Sequence, residues 1–411
     1  MTDTGSKMRR RFLKRSVALS AAAATGTIGF PAIVRGQSGP IKIGVLHPVT
    51  GALAYSGQLS RLGAQLAIDE INAAGGIKSL SGAKIDPVLG DAQSKPEIGV
   101  AEVEKMNEAG VAAIVGAYAS AICLATTQAA AKHGIPHVVD VGVADQIVER
   151  GLKNTFRFGP GYKVITTTAI NDFHILNVVA GKPVKTVMII HEESLFGTGT
   201  ANLLSSQLPS LGYQVVEVVK HANPTRDFNN IVLRMKALNP DVVIPANYYN
   251  EYALLVRTMK QQKVRPKAIF SVLGGAASSF KFVKEFPDVA DGIIDVNHWY
   301  NPKDTRALAL RKKVEGMKDQ FYTYEVFLNY QSVYLLVDAI ERAKSRDRGA
   351  IVEALAASTW NGHFMPYGPT KFVDGQNLGA QPLMLQVQKS DIKVVLPNTW
   401  AEAQPIFPLR A

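Results

Sequence analysis

The stretch IKIGVLHPVTGALAYSGQLSRLGAQLAIDEINAAGGI, Ile41 to Ile77, admits few folds. Ile41, Ile43 and Val45 alternate and Leu46 follows, the pattern of a short buried strand. Pro48, Gly51 and Gly57 then predict a loop. From Arg61 the apolar positions Leu62, Leu66, Ala67 and Ile71 fall at helical spacing, with Asp69 and Glu70 among them, and Gly75-Gly76 ends the helix. A strand that feeds a helix through a polar, glycine-containing loop puts that loop at the carboxyl edge of a sheet, where open α/β folds hold ligands. Any α/β unit shares this pattern, so the stretch speaks for class before it speaks for function.

The rest of the chain repeats the unit. Strands are expected at Ile85 to Leu89, Val111 to Val115 and His137 to Val141, with helices at Ile98 to Ala109 and about Ser120 to His133. Near Phe156-Arg157-Phe158-Gly159-Pro160 the rhythm restarts. Strands at Val187 to Ile190, Tyr213 to Val219, Asp241 to Pro245, Ala268 to Val272 and Gly292 to Val296 alternate with helices at Thr198 to Leu208, Ile231 to Ala237 and Glu251 to Gln262. Helices around Arg306 to Lys318, Phe327 to Ala343 and Ala350 to Ala356 complete one or both arrays. The reading is α/β, with two mostly parallel, doubly wound lobes of similar topology. A chain of 411 residues is long enough for two such cores.

The formal charge of +11 invites a nucleic-acid reading, and its distribution removes it. The first 36 residues carry seven basic side chains against Asp3, a net +6, which leaves +5 spread over the remainder with no basic stripe. Those first residues read as an export leader. Arg9-Arg10-Arg11-Phe12-Leu13-Lys14 matches the twin-arginine pattern R-R-x-F-L-K. Val17 to Phe30 is a mild apolar run, and Val34-Arg35-Gly36 offers a cleavage site, so residues 1–36 are expected to be removed on export to the periplasm. No uninterrupted apolar run reaches the length of a membrane span. Cys123 is the only cysteine, which rules out an intrachain disulfide.

Catalytic and cofactor motifs are missing. There is no G-x-x-x-x-G-K-[ST] loop, no G-x-G-x-x-G after the first strand, no H-E-x-x-H and no cysteine pair for zinc. Ser120, in Ala-Tyr-Ala-Ser-Ala, lacks the glycines of a nucleophile elbow. His133, His137 and His191 are expected to be ordinary loop or edge residues, and Cys123 a small buried hydrophobe. No cofactor, no metal and no enzymatic activity is therefore expected.

From Ile41 to about Phe407 the chain resembles the type I periplasmic solute-binding proteins of the leucine/isoleucine/valine-binding group. The resemblance is carried by IKIGVLHPVTGALA, GAQLAIDEINAAGGI, Val115-Gly116 with Ser120, Gly134-Ile135-Pro136, and Phe196-Gly197 after His191-Glu192. Asp227-Phe228, NPDVVIPANYYNE and Gly362 to Val373 continue it. It implies the type I periplasmic-binding-protein fold: two doubly wound α/β lobes joined by a three-segment hinge, with ligand captured between them. The first lobe would take residues 40–158 and 298–367, the second 159–297 and 368–411. The crossings would fall at Phe156-Arg157-Phe158, Val296-Asn297-His298 and Met365-Pro366-Tyr367. The implied partners are a small carboxylate ligand and the permease subunits of an ATP-driven (ABC-type) inner-membrane importer, with the binding protein itself a monomer.

The resemblance also implies ligand-binding residues. Ser120, after the third strand and at a helix start, would bind a carboxylate through its hydroxyl and nearby backbone N–H groups, with Ala119 beside it. A helix N-terminus is independently an anion site, and a plain N-cap would use Ser120 similarly. The segment Asp140-Val141-Gly142-Val143 would add contacts from Val141 and Val143, the latter standing where amino-acid binders have a threonine. In the first loop Tyr55 and Ser56 would face the ligand. Phe196 and Tyr248 would close from the second lobe, with Tyr162 near a crossing. Amino-acid binders usually place an acidic residue where this chain has Leu273, and that acid holds the α-ammonium. A buried ammonium without a charge partner would cost several kcal/mol. The expected ligand therefore keeps a carboxylate and lacks an ammonium, as an aromatic or branched organic or keto acid does. The alternatives are a shifted alignment, with Asp140, Asp145 or Glu251 holding the ammonium of a hydrophobic amino acid, or an exported enzyme on a similar fold.

Overall fold

The computed structural model describes residues 39–409; the leader reading of residues 1–36 lies outside them. Five strands open the first sheet: β1 (Ile41–His47), β2 (Ile85–Asp91), β3 (Ala113–Gly116), β4 (His137–Val139) and β5 (Thr155–Arg157). Five more open the second: β6 (Thr186–Glu192), β7 (Gln214–His221), β8 (Val242–Ala246), β9 (Ala268–Val272) and β10 (Ile294–Asn297). Two hairpins finish them, β11 (Phe372–Val373) with β12 (Gln376–Asn377), and β13 (Leu383–Gln388) with β14 (Asp391–Leu396). The orders are β11-β12-β5-β4-β3-β1-β2 and β14-β13-β10-β9-β8-β6-β7. The ten opening strands pair in parallel within each sheet. Both sheets thus share the 2-1-3-4-5 winding, and each has a switch point, between β1 and β3 and between β6 and β8.

Central strands read as near-continuous apolar runs because helices cover both faces. Ile43, Val45, Ile114, Val115, Val138, Ile189 and Val243 are all buried. Register aligns Leu46 with Gly116, and Gly116 with Val139, so the loops after β1, β3 and β4 leave the sheet side by side. Helix Ala54–Ala73 packs against helix Tyr324–Ala343, and Gly63 allows the approach: a Cβ there would lie 2.1 Å from the Val326 carbonyl oxygen.

Several boundaries differ from expectation. The first helix starts at Ala54, not Arg61, which moves Tyr55 and Ser56 from loop to first turn. Helix Tyr162–Val179 carries many β-branched residues (Val164, Ile165, Thr166–Thr168) and offered little helical propensity; tertiary burial of Ile165, Ala169, Phe173 and Leu176 settles it. The fifth helix begins at Leu195, which puts Phe196 in its first turn. The hairpin of β11 and β12 pairs with the first sheet, Gln376 opposite Arg157, so Phe372–Asn377 departs from the expected second-lobe segment. Arg157 Nε donates to Gln376 Oε1 at 2.6 Å and Asn377 Nδ2 to the Phe158 carbonyl at 2.9 Å. The chain passes between sheets after β5, after β10 and between β12 and β13, the last beyond Met365-Pro366-Tyr367.

Candidate functional site

Helix Ser120–Lys132 begins at the first switch point, and its N-cap residue, Ala119, has no side-chain oxygen to cap the first turn. Ser120 turns its hydroxyl to the neighbouring loop instead. Its Oγ accepts from the Val143 N–H and the Ala144 N–H, each at 3.1 Å, and so fastens the loop after β4 to the helix start. With both acceptor positions used, its one O–H proton remains to donate.

Asp140 locks the same corner from below. Its side chain is fully buried and accepts from His47 Nε2 at 2.9 Å, the Tyr118 N–H at 3.0 Å and the Val141 N–H at 2.7 Å. Burial raises its pKa, the His47 hydrogen bond and charge and the two backbone donors lower it, and the net is below the usual carboxylate range. Tyr118 is held there at φ +64°, a left-handed backbone conformation uncommon for an aromatic residue.

The opposing wall comes from the second sheet. Phe196 lies in the turn after β6, Asn247 and Tyr248 follow β8, and Leu273 follows β9 with φ +57°. Leu273 N–H donates to the Val296 carbonyl at 3.1 Å. Beneath it Asp295 accepts from the Gly274 N–H at 2.9 Å, Ser278 Oγ at 2.6 Å and Asn297 Nδ2 at 3.0 Å. Burial pushes this carboxyl up to about 6 despite those donors.

These parts line a cavity between the loops that follow the strands beside the two switch points. Seven expected site residues line it: Ala119, Ser120, Val141, Val143, Phe196, Tyr248 and Leu273. Tyr118, Asn247, Asn297, His298 and Tyr324 complete the wall and were not expected. Tyr118, Phe196, Tyr248 and Tyr324 form an aromatic surround; Tyr248 lies 5.9 Å from Tyr118 across the lobes and 5.2 Å from Phe196, centroid to centroid. Among the described residues no Asp, Glu, Lys or Arg lines the cavity. Burial and the nearby Arg157 charge press the His298 imidazole down to about 3, so it is neutral.

Three expected residues stand elsewhere. Tyr55 stands outside the cavity wall, its ring centroid 4.4 Å from that of Tyr249 on the second lobe and 4.7 Å from Lys281 Nζ. Ser56 is buried in the first helical turn without reaching the cavity wall, the consequence of the earlier helix start. Tyr162 directs its hydroxyl to Gln146 Oε1 at 2.9 Å and packs against Gly199. The carboxylates offered for an ammonium are also outside the wall. Asp140 is committed as above, Asp145 accepts from Arg157 Nη2 at 2.7 Å and the Lys163 N–H at 3.1 Å, and Glu251 accepts from the Thr225 N–H at 3.3 Å. His137 and His191 are buried in strands, not edge residues, because β4 and β6 are central in their sheets. Cys123 is buried as expected, and burial pushes its thiol up.

The unexpected wall residues carried partial signals. Tyr118 and Asn247 immediately precede Ala119-Ser120 and Tyr248, so reading the whole loop after each strand beside a switch point would have found them. Asn297 and His298 stood in a segment read as a crossing. Tyr324 opens a helix remote in sequence and has no local signal. Among the described residues no cluster of three or more His, Cys, Asp or Glu side chains could hold a metal, and no helix is long and apolar enough to cross a membrane.

Comparison with known proteins agrees with this architecture. The family model described as periplasmic binding protein matches residues 40–393. The Leu/Ile/Val-binding protein homolog 8 of Brucella abortus (strain 2308) is 28% identical over 383 residues, covering 89% of this chain and 93% of that protein. Among solved structures, the branched-chain amino acid transporter substrate binding protein LivJ from Streptococcus pneumoniae, in complex with isoleucine, is similar with a TM-score of 0.74. It is 22% identical and covers 90% of this chain and 100% of that one. A solute binding protein of an ABC transporter from Rhodopseudomonas palustris BisB5, in complex with 3,4-dihydroxy benzoic acid, has a TM-score of 0.75. It is 17% identical and covers 85% of this chain and 93% of that one. Two seven-stranded α/β sheets, a cavity where their switch points meet and a family match across most of the length lead to one conclusion: the chain belongs to the periplasmic binding protein family.

Proposed function

We propose that this protein is the substrate-binding component of a branched-chain-amino-acid-type ABC importer and captures a small carboxylate that lacks an ammonium group. The observation that carries this reading is the cavity wall, which has donors for an anion at Ser120 and the helix start but, among the described residues, no carboxylate for a cation. Leu273 and Val143 occupy two of the positions where an amino-acid binder would need polar partners. Burying an unpaired ammonium against them costs several kcal/mol. Tyr118, Phe196, Tyr248 and Tyr324 suit an aromatic or branched body, and the Rhodopseudomonas neighbour was solved with an aromatic acid. The second reading, a branched-chain or other hydrophobic amino acid, is supported by the names of the Brucella relatives and by the isoleucine in the Streptococcus neighbour. In either case the protein acts as a monomer, passes its ligand to permease subunits and performs no chemistry. Residues 1–36 act as the twin-arginine leader that delivers it to the periplasm.

A thermal-shift screen with leucine, valine, benzoate, 4-hydroxybenzoate, phenylpyruvate and short keto acids separates the readings. An acid without an ammonium should raise the melting temperature, and leucine should not. Strong stabilisation by leucine with none from the ammonium-free acids refutes the proposal, and turnover of a bound acid would point to an enzyme.

A further inference from the structure

We infer that the ligand carries a hydroxyl group in addition to its carboxylate, and that His298 and Asn247 read that hydroxyl. The inference rests on the carboxylate reading above and narrows it. Among the described residues, three polar side-chain atoms of residues that line the cavity have no partner: Asn247 Oδ1 and both ring nitrogens of His298. Asn247 is fully buried and His298 is 1% exposed, so bulk water does not serve them. Native proteins rarely leave buried polar atoms unpaired without a functional reason.

The amide groups beside these atoms are engaged within the protein. Asn297 Nδ2 donates to Ser278 Oγ and Asp295 Oδ2, and its Oδ1 accepts from the His298 N–H. The Asn247 amide nitrogen is engaged by His221 Nε2, which leaves its oxygen as the free end. The His298 ring has a made place: Gly159 stands against it, and a Cβ there would come within 3.0 Å of Cε1 and 3.2 Å of Nδ1.

The donor and acceptor inventory then constrains the ligand. A carboxylate or a keto oxygen only accepts, so it can take the Ser120 proton and one imidazole N–H. Neither can satisfy an amide oxygen or the bare nitrogen of a neutral imidazole. A hydroxyl both donates and accepts and can do so. An ammonium also donates, but the wall offers it no carboxylate. Ser120 belongs to the first lobe, Asn247 to the second, and His298 to the crossing between them. The two ends of a hydroxy acid therefore have separate receptors, with the aromatic residues around its body.

The test is isothermal titration of the purified protein with two series, benzoate against 3- and 4-hydroxybenzoate, and 4-methylpentanoate against 2-hydroxy-4-methylpentanoate. In one series the hydroxylated member should bind about tenfold or more tighter than its parent. His298→Ala should bring that pair within about threefold, and His298→Gln, which keeps a donor and an acceptor, should restore most of the difference. Parents binding as tightly as hydroxylated members in both series would overturn the inference, even if the alanine variant fails to fold, because the wild-type ratio already decides. Equal weakening of both members by His298→Ala overturns it as well. If no acid of either series binds the wild type, the carboxylate reading falls and takes this inference with it. If parents bind without preference, only the inference falls.

Discussion

Ser120→Ala separates two roles that one oxygen combines. Ser120 Oγ accepts from the Val143 and Ala144 N–H groups in a site only 2% exposed. Removing it leaves two buried donors unpaired, at about 1–3 kcal/mol each, with the lower end applying if water enters the space the oxygen leaves. The unliganded variant should therefore lose roughly 2–6 kcal/mol of unfolding free energy, measured by urea denaturation. The ligand loses a different thing, the single O–H donor to its carboxylate. A hydrogen bond to a charged group contributes about 1.5–3 kcal/mol, so the dissociation constant should rise by about ten- to 150-fold for any carboxylate that binds the wild type. Ser120→Thr keeps the oxygen and should recover most of both losses. Full loss of stability with unchanged affinity would refute the reasoning, because Ser120 would then only fasten the two loops together.

Leu273→Asp should favour amino acids: the ratio of leucine affinity to that of its ammonium-free analogue should rise by about tenfold or more, measured by calorimetric titration. Backbone geometry does not oppose this exchange, since Asp tolerates the left-handed conformation at φ +57° better than Leu. Tyr55→Ala removes a ring that meets Tyr249 of the second lobe, without touching the cavity wall. It should weaken every ligand by the same factor, about tenfold, through the closed state, and leave ligand preference unchanged in the same titration. His137, fully buried in β4, has its pKa lowered by burial to about 4, below its unfolded value. The unfolded chain then binds more protons below about pH 6.5, so this group's contribution is lost as pH falls from there toward about 4. His137→Leu should therefore be more stable than wild type at pH 5 by about 2 kcal/mol relative to their difference at pH 7, read from denaturant melts at both values.

What sequence alone disclosed, and what it hid, follows from the range of the forces involved. The β1 alternation and the helical spacing of Leu66, Ala67 and Ile71 are local patterns, and both elements formed. Ser120, Phe196 and Tyr248 were named through the family resemblance, and each stands just past a strand beside a switch point, where topology also directs a ligand. Tyr55 and Ser56 were misplaced because Gly57 was read as a loop residue. In the structure it is a helical glycine kept small by the Pro48 carbonyl, 2.1 Å from where its Cβ would stand. Helix Tyr162–Val179 was hidden by its β-branched residues, since its helicity comes from a buried face rather than from propensity. Tyr324 and His298 reach the cavity from segments far apart in sequence, and only tertiary contact joins them to Ser120.

Two strained backbones frame the ligand chemistry. Tyr118 and Leu273 both hold left-handed conformations, and both line the cavity from opposite lobes. Each such residue costs on the order of 1–2 kcal/mol, and Asn, Asp or Gly would adopt the same backbone with less strain. The surroundings impose the conformation: Asp140 grips the Tyr118 N–H, while the Val296 carbonyl takes the Leu273 N–H and Asp295 the next one. At Leu273 the residues that would relieve the strain include an acid, the very type that would admit an ammonium. On the proposed reading, an apolar side chain at a position that favours Asp over Leu leaves the wall neutral where an ammonium would sit. Under the proposed function, discrimination arises from what Leu273 withholds as much as from what Ser120 donates, and both residues line the same cavity.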